Sequence, residues 1–274
     1  MSELSPEPAN GLEWFGQELA AALAHHGATQ RELADFTGYK EPYVSKVKNG
    51  KALPSPAFAA GCDRFFNTSG YFARLLVRVS QHGHPEWFVP YLRLEEKAEQ
   101  ILDFSPFLVM GILQTPEYAE ALFRAAHPRD TDHVIKEKVA LRLQRRTVLE
   151  RPDPPVLWII LDESCLRREV GGRAVMRQQM EHLLAEAQGP NVTVQVLPYD
   201  SGAPPAAEAF TLLTFGDDDG APVLHSEAQG LGRVIDSASV VRTGTDRFER
   251  LRADALSPEK SLRALREAIK EYAR

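Results

Sequence analysis

Residues 39–51, YKEPYVSKVKNGK, hold four lysines and one glutamate, a local charge of +3. Ammonium groups at this density neutralise phosphates, and a lysine also donates to guanine O6 and N7. A glutamate accepts from cytosine N4, and a proline offers apolar contact, for example to a thymine methyl. Lys40, Glu41, Pro42, Tyr43, Ser45, Lys46, Lys48 and Lys51 together carry the chemistry for a polyanion with readable edges. Whether they exercise it depends on the elements that hold them.

Those elements are written just upstream. Thr29 and Glu32 form a T-x-x-E capping box, so a helix begins at Gln30. Leu33 and Ala34 face inward, and Ala34 is small enough for a second helix to cross closely. Gly38 stands where a helix ends in a left-handed residue. The second helix starts near Glu41, since Pro42 is tolerated only in a first turn. Val44 and Val47 then point back at Leu33 and Ala34, and the polar residues face solvent, the layout of a helix-turn-helix. Spacing alone also fits two amphipathic helices of an ordinary bundle.

The stretch TQRELADFTGY…VSKVKNGK resembles the DNA-binding domain of the Xre/Cro/C1 repressor family, over residues 13–80. The resemblance implies that Gln30 contacts a phosphate and that Glu41, Pro42 and Lys46 reach bases. It also implies that Tyr43 and Ser45 lie beside the backbone and that Lys51, after Asn49-Gly50, meets another phosphate. Two residues depart from the family's pattern. Lys48 sits where glutamate is frequent, and Lys40 is a poor N-cap.

The remainder of the chain sets bounds. With 274 residues, 43% apolar and 26% charged, it has the size and composition of a soluble globular protein of one large or two modest domains. No apolar run approaches the roughly 20 residues of a membrane span, and MSELSPEPANG lacks the form of a signal peptide, so a cytoplasmic location without membrane contact is expected. Cys62 and Cys165, the only two cysteines, imply no disulfide framework. The net charge of −6 disfavours nucleic acid at first sight, but residues 1–85 hold eight basic and eight acidic side chains. All of the excess acid therefore lies beyond residue 85, and a neutral domain can still present one basic face.

The expected fold is an all-α N-terminal helix-turn-helix domain of about five helices followed by a C-terminal α+β domain. In boundaries, residues 1–12 read as a disordered tail, 13–80 as the helical domain, 81–89 as a linker and 90–274 as the α+β domain. Within the last, helices are expected over 91–103, 116–127, 131–150 and 173–188, with an amphipathic helix after Ser257-Pro258. Strands are expected over 155–162, 191–198, 209–215 and 222–227.

Several segments, GILQTPEYAEAL, RLQRRTVLERPDPP, DESCLRREVGG, NVTVQVLPYDSGA, AFTLLTF and LRADALSPEKS, resemble the region that follows such a motif in WhiJ-like actinobacterial regulators. These are described as antitoxin-like partners in toxin–antitoxin-type pairs. Met110, Arg146, Pro204 and Pro205 depart from that pattern, and the resemblance brings no established active site. It implies a transcriptional regulator, homodimeric on double-stranded DNA, whose second domain senses a ligand or docks a small companion protein. The alternative is an antitoxin-like module that neutralises a small partner and uses DNA binding for autoregulation.

Other reactive residues are weaker candidates. Asp162 and Glu163 follow a strand with Cys165 nearby, but no partner base is recognisable, and the favoured reading is that Asp162 caps a helix and Glu163 stabilises its first turn. His25 with His26, and His82 with His84, lack the further ligands that a metal requires. There is no P-loop and no G-x-G-x-x-G, so no enzyme, cofactor or metal is expected. Arg142, Arg145 and Arg146 form a basic stripe with Lys138 on the long helix, either a solvated face or a seat for an acidic ligand or protein.

Overall fold

Local signals account for most of the N-terminal helices in the computed structural model, which describes residues 11–52, 54–81, 87–216, 220–228 and 231–274. The chain divides into two units, Met1–Glu86 and Trp87–Arg274. In the first, α1 (Gly11–His25), α2 (Gln30–Thr37), α3 (Glu41–Lys48), α4 (Pro56–Phe65) and α5 (Tyr71–Gln81) follow one another. Phe15, Leu19, Leu33, Val44, Val47, Phe58 and Phe72 close a common apolar core. Asp63 holds the start of α5, its carboxylate accepting from the Phe72 and Ala73 N–H groups at 2.9 Å each. The helix α1 begins at Gly11, two residues inside the expected tail; residues 1–10 lie outside the described residues.

The second unit contains α6 (Val89–Glu95), β1 (Gln100–Ser105), α7 (Pro116–Ala126), α8 (Asp132–Gln144), β2 (Val156–Asp162), α9 (Ser164–Arg167) and α10 (Arg173–Glu186). After these come β3 (Val192–Leu197), β4 (Phe210–Thr214), β5 (Val223–Ala228), β6 (Leu231–Ile235), α11 (Ala238–Asp254) and α12 (Pro258–Tyr272). The sheet is mixed and six-stranded, in the order β3-β2-β1-β4-β5-β6. The pairs β1–β2 and β2–β3 are parallel, and β4, β5 and β6 continue antiparallel.

Three readings of the sequence need correction here. The helix expected over 91–103 is α6 followed by β1, the strand at the sheet's centre. Tyr91, Leu92, Leu94, Ala98, Ile101 and Leu102 fit a helical period, while a strand buried on both faces shows no alternation to contradict it. The helix expected over 131–150 stops at Gln144 and continues as a 3-10 turn over Arg145–Leu149. The linker expected to residue 89 ends sooner, because Phe88 is buried in the second unit's core and α6 starts at Val89.

One face of the sheet packs under Met176, Met180, Leu183 and Leu265 of α10 and α12. The other carries Phe104, Ile160, Phe210 and Leu212 against Phe248 and Leu251 of α11. Asp103 is paired with Thr211 across β1 and β4, Thr211 with His225, and His225 with Val234. This buried row is polar at its middle. The outer edge of β3 is closed by the connection between α11 and α12. The Val196 carbonyl accepts from the Leu256 N–H at 2.9 Å, and the Val196 N–H donates to Ser261 Oγ at 3.0 Å.

Candidate nucleic-acid interface

The capping box at the start of α2 is complete. Thr29 Oγ1 accepts from the Glu32 N–H at 3.2 Å, and Glu32 Oε2 accepts from the Thr29 N–H at 2.8 Å. That backbone hydrogen bond, with a second from the Thr29 hydroxyl, holds the Glu32 carboxyl below the ordinary range. Gly38 turns the chain at φ +75°, and the Tyr39 N–H closes back on the Ala34 carbonyl at 3.0 Å. Lys40 supplies no side-chain cap to α3, and Pro42 occupies its first turn. Leu33, Val44 and Val47 are fully buried, which fixes the rotation of α3.

With that rotation fixed, Lys40, Glu41, Pro42, Lys46 and Lys51 are exposed, while Gln30, Ser45 and Lys48 are half-buried. Ser45 Oγ accepts from Asn49 Nδ2 at 3.3 Å. Among the described residues, none of the four lysines stands in an ion pair, so their ammonium groups are free to meet phosphates. Tyr43 is half-buried and also serves the fold. Its ring stacks on Tyr39 at 4.7 Å and meets Phe58 edge-on at 5.3 Å, and its hydroxyl accepts from the Ser55 N–H at 2.9 Å. It fastens α3 to α4.

Sequence reasoning missed the support behind α3. A Cβ built on Gly16 of α1 would lie 2.5 Å from the Lys48 carbonyl oxygen, so only glycine admits this helix crossing. Gly16→Ala is therefore expected to push α1 off α3, lowering N-terminal stability by about 1–3 kcal/mol and weakening DNA binding. Urea unfolding of the variant checks this; an unchanged midpoint would mean that the helices separate freely.

The remaining candidates are engaged within the fold. Asp162 Oδ1 accepts from the Ser164 N–H at 2.8 Å, and Glu163 Oε2 from the Tyr199 N–H at 3.1 Å. Cys165 Sγ donates to the Ser105 carbonyl at 3.2 Å, and burial pushes its thiol up to about 12. Cys62, also buried and free, is raised to about 12 as well. The His25 and His26 rings meet edge-on at 5.3 Å; His82 and His84 lie outside the described residues. No group of three or more metal-ligating side chains occurs among the described residues. Among them, too, no helix is long and apolar enough to cross a membrane.

The arginine stripe is not an outward face. The change to 3-10 geometry after Gln144 takes the arginines off a common line. Arg145 turns inward and binds Glu95 through two hydrogen bonds of 3.0 and 2.7 Å, with Tyr91 donating to the same carboxylate at 2.7 Å. Burial works against the Arg145 charge, but Glu95 prevails and raises the group above the ordinary arginine range. Arg146 bridges to Glu186 at 2.5 Å and to Glu150 at 3.3 Å, and Lys138 pairs with Asp130 at 2.6 Å. Arg142 donates to Gln114 Oε1 at 2.9 Å and lies 4.1 Å over the Phe123 ring.

A Helix-turn-helix model matches residues 19–71, the segment whose buried valines and exposed lysines have just been described. A second model, Domain of unknown function (DUF5753), matches residues 88–267. The chain thus belongs to the DUF5753 family and carries an N-terminal helix-turn-helix that marks it as a DNA-binding regulator. No curated protein and no solved structure matches it.

Proposed function

We propose that the protein is a sequence-specific transcriptional regulator, cytoplasmic and dimeric on paired half-sites, that reads bases through α3. The observation that carries this reading is the exposed row Glu41, Pro42 and Lys46, flanked by unpaired lysines on a helix whose rotation two buried valines fix. In this reading the C-terminal domain acts by binding rather than by catalysis. It senses a ligand, or docks a companion protein in the manner of WhiJ-like, antitoxin-like actinobacterial regulators. A companion would need a seat other than Arg145 and Arg146, whose charges are already matched by Glu95 and Glu186.

Lys46→Ala is expected to weaken binding to the cognate site by about 1–3 kcal/mol more than binding to random DNA. Gln30→Ala should weaken both alike, since positioning contacts carry no base information. Genome-wide mapping of bound DNA supplies the operator, and titration of each variant on operator and scrambled duplex makes the comparison. Equal loss on both duplexes for Lys46→Ala would reduce that lysine to a phosphate contact.

A further inference from the structure

Phe36 is 54% exposed, although Leu33 and Ala34, the other apolar residues of α2, are buried. The way α2 crosses α4 imposes this. A Cβ built on Gly61 of α4 would lie 2.7 Å from Thr37 Cγ2, so the two helices touch closely there. The crossing holds the Phe36 ring edge-on to Phe65 of α4, centroids 5.2 Å apart, and Phe65 in turn meets Phe66 edge-on at 4.9 Å. Phe66 lies in the buried core and Phe65 only partly so. The three rings form a ridge that starts in the core and ends in solvent at Phe36.

Two exposed charges flank the ridge, Asp35 on α2 and Arg64 on α4. Arg64 reaches back over the crossing, its Nη2 3.9 Å from the Cβ position of Gly61. Neither side chain stands in an ion pair among the described residues. A patch that carries both signs, unpaired, beside one exposed ring is complementary to itself. Turned about a two-fold axis through the ridge, Asp35 of each copy faces Arg64 of the other, and each Phe36 ring is covered. A partner of one sign, nucleic acid included, would set one of the two charges against its like.

We propose that the Phe36–Phe65 ridge, with Asp35 and Arg64 beside it, is the surface through which two copies of this chain associate. Such a pair rests on the reading of the protein as a dimeric regulator and supplies the contact that holds the dimer together. Only Gly38, Tyr39 and Lys40 separate α2 from α3. Joining α2 to its copy therefore fixes the distance between the two reading helices, and with it the spacing of the half-sites.

The test is sedimentation velocity of the full chain, alone and on a duplex carrying both half-sites of the mapped operator. Phe36→Ser should weaken self-association by about tenfold or more. Asp35→Arg and Arg64→Asp should each weaken it likewise, since each homodimer then opposes like charges twice. Mixed in equal amounts, those two variants should associate to within about threefold of the parent, because the mixed pair restores both contacts with their signs exchanged. A merely damaged surface would not recover on mixing. Circular dichroism checks that each variant folds. Should Phe36→Ser fail to fold, the charge variants, which alter exposed side chains only, carry the test. If the parent is dimeric and every variant associates equally well, the interface lies elsewhere: the proposal is overturned and the dimeric regulator stands. Mixed charge variants that associate no better than either alone overturn the proposed pairing of Asp35 with Arg64. A parent that stays monomeric both alone and on the duplex removes the dimeric reading and the surface together.

Discussion

Arg145→Ala is expected to lower the stability of the C-terminal domain by about 3–5 kcal/mol. The Glu95 side chain is 1% exposed and that of Arg145 12%, so removing the guanidinium strands a carboxylate with only the Tyr91 hydroxyl as donor among the described residues. The same guanidinium lies 4.9 Å over the Phe88 ring and 5.6 Å over the Tyr91 ring, so the truncation also empties a stacked aromatic site. Pairing the change with Glu95→Gln should recover a large part of the loss, because an uncharged amide is far less costly to bury than a lone carboxylate. Denaturant unfolding of the single and double variants measures the coupling. If the double variant is as unstable as Arg145→Ala alone, the loss comes from packing and not from the stranded charge.

The second large effect is hidden in the parent protein, because two groups in one row of the sheet oppose each other. Burial, reinforced by Arg145, lowers His225 from 6.5 to about 4, while Tyr91, Thr211, Glu95 and Glu227 also face or approach the ring. A depressed pKa means that the folded state resists protonation, so this contribution to stability is present above pH 6.5 and is lost as pH falls toward 4. Asp103 goes the other way: burial raises it from 3.8 to about 6, with hydrogen bonds from Ser105 and Thr211 limiting the rise. Its folded state binds a proton more readily, so its contribution is present below pH 3.8 and is lost as pH rises through 6. At about 1.4 kcal/mol per unit, each shift is worth about 3 kcal/mol, and over the window between pH 4 and 6 they nearly cancel. His225→Gln should therefore gain stability relative to the parent on acidification from pH 7 to 4, and Asp103→Asn should lose it. Unfolding free energies of both variants, referred to the parent at each pH, decide the matter. Curves parallel to the parent's would remove these two groups from the acid response.

How much of this was legible depends on how far apart the cooperating residues lie. The helix-turn-helix is local: Thr29 caps with Glu32, Gly38 turns the chain, and Pro42 marks a first turn, all within fourteen consecutive positions. The charged cluster is not local, since Arg145 and Glu95 are 50 positions apart and His225 comes from another strand. No periodicity reports such a pairing, and a run of arginines on a helix reads the same whether they face water or a buried carboxylate. The strand β6 and the helix α11 escaped notice for a related reason. Of the 17 residues of α11, Gly244, Phe248 and Leu251 alone are buried, too few to print a helical stripe on the sequence.

The closed edge of β3 limits how copies of this chain can grow upon one another. With Val196 already hydrogen-bonded to Leu256 and Ser261, that side of the sheet offers no template at its middle. The opposite margin, β6, pairs with β5 and with no further strand among the described residues, and Leu231 stands 71% exposed there. Strand addition on this fold is thus one-sided. Two chains meeting β6 to β6 would each use up the open edge seen among the described residues, so such contact ends at a pair and does not propagate through that edge into a fibre.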